Sequence, residues 1–283
     1  MNSVMFDIPG PAARRRQLIG TIIGTLVVAA ILGWVLWTLW SEEQITPDQW
    51  EPFGEPDIIS ALFEGLLATL RAAAVAIVLA VVFGAILASG RLSEHAWLRW
   101  PSIAIIEFFR AVPLLLLISF IFLGFGSTLG TFYSLVLGLM LYNGSVLAEI
   151  FRAGILAVPR GQTEAGYAIG LRKSQVMRQI LAPQAVASML PAIISQCVVA
   201  LKDTALGFVI GASGIVNTGE SIYISPLYNN PLAVGFVLAA VFIVINYSLS
   251  KLATWIEARQ RREGRSVVHV NDTTTGPAAG GIH

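Results

Sequence analysis

Charge is scarce in this sequence. Only 12% of its 283 residues are Asp, Glu, Lys or Arg, about half the share of an ordinary soluble domain. With 55% hydrophobic residues and a mean hydropathy of +0.74, that scarcity excludes a water-soluble globule and points to an integral membrane protein. Cysteine is nearly absent. The single thiol, Cys197, sits in an apolar run, so an intrachain disulfide is excluded, no metal site is expected, and the residue reads as a small buried hydrophobe. The three histidines, His95, His269 and His283, fall in expected loops or tails with no metal-ligand or nucleophile constellation around them, so enzymatic chemistry and a bound cofactor are not expected. No GxxxxGK[ST] phosphate loop exists, so nothing in this chain cradles ATP. The net charge of +1 comes from basic residues spread over several loops rather than one patch, which argues against nucleic acid as a partner.

What is present is a series of long apolar runs. Residues 1–16 form a tail ending in Arg14, Arg15 and Arg16. The run 17–40 follows, about 24 residues and long enough to span a bilayer; it reads as an uncleaved first helix, because a signal peptide has a shorter core and a small-residue cleavage site. Trp34, Trp37 and Trp40 mark its outer interface, and Gly20 and Gly24 form a GxxxG pair. Residues 41–60 are acidic, with Glu42, Glu43, Asp48, Glu51, Glu55 and Asp57 and no Lys or Arg. Further spans are expected at 62–89, 102–123, 131–157, 184–211 and 232–255, so that residues 61–257 form the main transmembrane domain, followed by a tail, 258–283, disordered at its end. The expected fold is therefore all-α with six transmembrane helices.

The basic residues orient these helices. Arg14 to Arg16, Arg91, Arg99, the cations of the segment 158–183, and Lys251 with Arg259, Arg261, Arg262 and Arg265 all fall on one side, and none falls in the three opposite loops. By the positive-inside rule both termini are expected in the cytoplasm.

Residues 158–183, VPRGQTEAGYAIGLRKSQVMRQILAP, are the one long polar interruption in the second half. A loop of roughly 25 residues between packed elements usually has a function. Its pattern reads as two short helices: 162–169, a bend at Gly170, then an amphipathic piece 171–181 with Leu171, Val176, Met177 and Ile180 on one side. Pro183 is placed to open the next helix.

This segment resembles the EAA loop of bacterial ABC-importer permeases, with Glu164, Ala165, Gly170, Ile180 and Pro183 at the family's spacing. Gly166 and Ala182 depart from it, and Gly166 is expected to soften the first helix by about 1 kcal/mol relative to Ala. The stretches 107–115 (EFFRAVPLL), 149–154 (EIFRAG), 158–162 (VPRGQ) and 201–206 (LKDTAL) are similar to the polar amino-acid permeases of that group, and the likeness covers residues 60–262. The resemblance implies a type I importer core in helices 2–6, with helix 1 an addition. It implies that two permeases, identical or paralogous, form the pathway, that two ATPase subunits drive it, and that an extracellular binding protein delivers a polar amino acid. The overall look is similar to actinobacterial glutamate-type uptake permeases, which place the protein in a bacterial plasma membrane. The coupling residues so implied are Gln162, Glu164, Ala165, Gly170, Arg172 and Lys173, with Glu164 meeting an arginine of the ATPase. The alternatives are a cationic or sulfur-containing amino acid as substrate, or an ATP-independent secondary transporter, which would explain the helices but not the ordered loop motif.

Charges within the expected spans need partners, since each costs several kcal/mol when unpaired in lipid. Glu107 and Arg110 share one helix face, as do Glu149 and Arg152. At ~1.5 Å per residue, Glu107 falls at the depth of Arg152 and Arg110 at that of Glu149. Two arrangements fit: a crossed four-charge cluster forming an inner gate, or two separate intrahelical pairs. In the outer half, Arg71 and Lys202 are candidates to receive a substrate carboxylate, and Asp203 its ammonium; the alternative for Arg71 is snorkelling or pairing with an acidic neighbour. Tyr142, Asn143 and Asn246 line a polar channel or bond between helices.

Overall fold

The computed structural model describes residues 10–225 and 230–264, and the chain divides into two compact units, residues 1–60 with 220–236, and residues 61–219 with 237–283. The expected tail residues 1–9 and 265–283, with His269 and His283, lie outside the described residues. No strand occurs among those described.

In the first unit, α1 runs Pro11–Ser41, longer at its start than the expected 17–40. Pro11 at the first turn needs no N–H partner, which lets the helix begin in the tail. It ends as Gln44 N–H donates to Leu39 O at 2.9 Å and Glu43 N–H to Trp40 O at 3.1 Å, with Glu43 in the left-handed region at φ 55°. The acidic segment is more ordered than an irregular loop. It forms 3₁₀ turns at Pro47–Gln49 and Glu51–Gly54; Trp50 stacks on Phe236 at 6.5 Å, and the buried Asn230 donates Nδ2 to Gln49 O at 2.8 Å.

Helix α2 runs Pro56–Arg91, beyond the expected 62–89 at both ends. Pro56 and Asp57 open it, and Arg91 closes it against the negative end of the helix dipole. Helix α3, Ala96–Ala111, stops where Val112 (ψ 127°) and Pro113 (ψ 129°) turn extended. Proline bars the residue before it from the helical region, so the span expected at 102–123 is broken in its middle. Helix α4 covers the 43 residues Leu114–Leu156, but Gly130 adopts φ 71°, ψ 175° inside it. A β-carbon placed on Gly138 would stand 2.6 Å from Ile118 Cγ1; a straight helix would hold those residues about 30 Å apart. The chain therefore doubles back at Gly130 into two arms. Five of the described helices are long and apolar enough to cross a membrane, against the six expected, because these arms are joined through one glycine.

Helix α5 covers Arg160–Ala168 and α6 Lys173–Val176. A π turn, Met177–Leu181, then leads without a gap into α7, Ala182–Asp203. The second helical piece of the segment 158–183 thus runs on into α7 without a break. The wide turn has a cause in Pro183, which has no N–H for an α bond and whose ring would press on the carbonyl four residues back. Pro191 lies inside α7 without ending it. A 3₁₀ turn, Thr204–Ile210, precedes α8, Ile215–Tyr223, and α9 spans Pro231–Gly264. The core of the second unit gathers Ala72 and Ala76 of α2, Leu114, Ile118, Leu135, Val136 and Leu139 of α4, and Ile210 and Ala212.

Candidate functional site: an ion cluster, a mid-span polar group and an elbow

Helices α2 and α4 cross closely because small residues face one another. A β-carbon on Gly84 would lie 2.7 Å from Gly144 O, and one on Gly144 would lie 2.7 Å from Phe83 Cδ1 and 3.1 Å from Ala80 O. Backbones that approach this closely gain dispersion contact over their whole length. One turn on, Leu87 and Ala88 join Ile106 and Ala148 in a second apolar cluster.

The same face of α2 ends in Arg91. Its Nη1 lies 2.5 Å from Glu149 Oε1 and 3.3 Å from Glu107 Oε1, and Arg152 Nε donates to Glu149 Oε2 at 3.3 Å. Arg91 and Glu149 are largely shielded, with side-chain exposures of 17% and 20%, whereas Glu107 is 57% exposed. The crossed pairing expected from helix depths is therefore not formed. Glu107 and Glu149 converge on one guanidinium from a third helix, and only the Glu149–Arg152 pair is intrahelical. Arg110 is exposed and makes no ion pair among the described residues. Both contacts run through Nη1, so one end of the Arg91 guanidinium is shared between the two carboxylates. The expected span 62–89 leaves Arg91 outside it, whereas α2 runs on to that residue. The signal that finds it is the run Ala80, Gly84, Ala88, Arg91, which continues one packed stripe at helical spacing.

At mid-span, the buried Asn143 of α4 donates Nδ2 to Leu139 O at 3.1 Å and accepts at Oδ1 from Gln196 Nε2 of α7 at 2.7 Å. Asp203, half-buried, approaches the same amide. Gln196 escaped the sequence reading, although Met189, Gln196 and Ala200 share a helix face. Lys202 points elsewhere, as a neighbour about 100° round the helix must. It lines an open groove of about 520 Å³ with Phe242, Asn246 and Tyr247. Asn246 donates Nδ2 to Phe242 O at 2.6 Å, and its Oδ1 is buried without a partner among the described residues. Arg71 is exposed and is the sixteenth of the 36 residues of α2, within its first half.

The elbow is built on Gly170, whose φ of 84° suits a residue without a β-carbon. Ile169 N–H and Gly170 N–H close α5 on Ala165 O and Tyr167 O. The departure at Gly166 has a packing reason: a β-carbon there would meet Val176 Cγ2 and Ile180 Cδ1, both at 2.9 Å. It seats α5 against α6 and the π turn rather than softening the helix alone. Outward, α5 presents Glu164, Ala165, Tyr167 (47% exposed) and Ile169 (76% exposed). Glu164 has no polar partner among the described residues. Gln162 Oε1 accepts from Gln184 Nε2 at 3.4 Å, Arg172 N–H donates to Gln175 Oε1 at 2.8 Å, and Lys173 Nζ pairs with Glu94 Oε1 in the α2–α3 turn. That ammonium holds the Glu94 carboxyl below its ordinary range.

Comparison with known proteins meets these features from outside. Residues 80–262 match the family described as binding-protein-dependent transport system inner membrane component. The glutamate transport system permease protein GluD of Corynebacterium glutamicum is 45% identical over 230 residues, 79% of this chain and 83% of that protein. The probable glutamine ABC transporter permease protein GlnP of Bacillus subtilis is 32% identical, over 71% of this chain and 94% of that protein. Among solved structures, an amino acid ABC transporter with histidines aligns with a TM-score of 0.66 at 30% identity, covering 71% of this chain and 94% of that one.

Proposed function

Since this chain belongs to the binding-protein-dependent transport system inner membrane component family, and is an amino-acid permease of an ABC importer, we propose that its substrate is glutamate or a close relative and that α5 is where an ATPase drives it. The substrate reading rests on the likeness to the Corynebacterium permease. The coupling reading rests on one observation above all: α5 is held out on a left-handed Gly170 turn with Glu164 and Tyr167 exposed three residues apart on one face, a carboxylate beside an aromatic ring. Such a face suits a partner that offers a cation within an apolar cleft.

Under this reading the chain and a second permease, identical or paralogous, form the pathway. Two ATPase subunits supply the energy, and an external binding protein delivers the amino acid. Closure of the ATPases moves α5, and α7, continuous with α6, carries the movement into the membrane as a rigid lever. Asp203, beside the buried Asn143 and its partner Gln196, meets the substrate's ammonium, and Arg71 or Lys202, both exposed, its carboxylate. Glu164→Lys tests the coupling in proteoliposomes containing the permease and its partner subunits. Membrane insertion should be unaffected while ATP-driven L-glutamate uptake is lost; uptake at the wild-type rate would reject the docking role.

A further inference from the structure

The elbow touches the membrane core by two routes, and only one of them is α7. The other starts at Lys173, the first residue of α6, which pairs with Glu94. Glu94 stands three residues after Arg91, in a short turn tied by Leu92 N–H to Ala88 O at 3.0 Å and Ser93 N–H to Gly90 O at 3.1 Å. One tight turn therefore carries both charges: Glu94 reaches toward the elbow, while Arg91 reaches back into the cluster with Glu149 and Glu107. On its other side the elbow is continuous too, since α5 packs through Gly166 on Val176 and Ile180, next to Lys173.

From this geometry we propose that Arg91 and Glu94 are positioning residues of the transport cycle. Glu94 receives the movement of α6 through Lys173, and Arg91 passes it to Glu107 of α3 and Glu149 of α4. The inference rests on the ATPase-coupling reading above. A shielded guanidinium shared by carboxylates from two other helices is a discrete arrangement, made or broken, rather than a compliant spring. That is what a conformational step requires of the element it moves. The exposed Glu94–Lys173 pair adds little stability, so its contribution is to link the turn to the elbow.

The test uses proteoliposomes holding the permease with its partner subunits, and reads L-glutamate uptake per ATP hydrolysed. Glu94→Lys and Lys173→Glu are exposed changes that should spare folding, and each should lower the ratio about threefold. Combining them restores the opposite-charge pair with its partners exchanged, and should return the ratio to within about twofold of wild type, the signature of direct coupling in a mutant cycle. Arg91→Gln should lower the ratio about tenfold, with Arg91→Lys recovering part of the loss because the charge remains. Wild-type ratios in both single elbow variants, or a double variant no better than the worse single, would overturn the proposal while leaving the coupling role of α5 standing. Uptake by the wild type that needs no ATP would reject that coupling role and this inference together.

Discussion

The α2–α4 crossing and the α5–α6 elbow are both held by glycine, and for opposite reasons. At the crossing, Gly84 and Gly144 remove side chains so that two backbones meet, and any added atom collides with a neighbour. At the elbow, nothing lies within 4 Å of a β-carbon on Gly170; what glycine supplies there is a backbone conformation at φ 84°. The first region is a packed interior whose charges are shielded and shared. The second is an exposed hinge held by a turn, one close contact at Gly166 and an ion pair on the surface. Stability and coupling are thus expected to separate between the regions.

The largest effect should come from Gly84→Leu. Its side chain meets the Gly144 carbonyl, which cannot swing aside, so destabilisation of about 3 kcal/mol is expected, seen as a lower melting temperature in detergent and loss of monodisperse protein. Glu149→Ala should follow. Stranding Arg152, and leaving Arg91 with only the exposed Glu107, costs about 2 kcal/mol, below the range for a fully buried pair because these side chains keep some solvent, and the same melting assay reads it. If Glu149→Ala melts like wild type, the interior is not held by its charges. Gly170→Ala belongs to the other region. A left-handed alanine costs about 1–2 kcal/mol, but the strain is confined to the elbow, so uptake should fall while the melting temperature of the membrane core hardly moves. Gly166→Ala should have a smaller effect: Ile180 can rotate away but the branched Val176 cannot readily, and about 1 kcal/mol of lost packing offsets a similar gain in helix propensity. Limited proteolysis of the elbow in that variant checks this balance.

The smallest effect is a pH dependence at the elbow. Glu94 has its carboxyl lowered by Lys173, so the pair's contribution is present above the ordinary glutamate range and is lost only as pH falls through the lowered value. A Glu94→Gln/Lys173→Gln mutant cycle should therefore give the same coupling at neutral and mildly acidic pH and lose it only once the pH falls below the ordinary glutamate range. Coupling that vanished already near pH 6 would show that another group controls the contact.

Much of the fold was legible because its signals are local. Apolar run lengths located the helices, and Gly170 announced its turn. Boundaries were misread where proline acts on its neighbours: Pro113 breaks a span and Pro183 widens a turn without interrupting the helix. Of the candidate site, the charges themselves were visible, but their pairing was not. Arg91 lies two residues past the expected span 62–89 but inside α2, and Gln196 has no local mark that sets it apart from any polar residue in an apolar helix.

The sequence by itself determined that the chain is helical and membrane-embedded, where its polar interruption lies, and which few residues carry charge into apolar surroundings. Those properties follow from composition and from the backbone preferences of single residues. Tertiary structure alone decided that two glutamates share Arg91, that Asn143 meets Gln196 fifty-three positions away, and that Lys173 reaches Glu94 across seventy-nine. Such contacts depend on which helix faces lie together and at what depth, and no local preference encodes that.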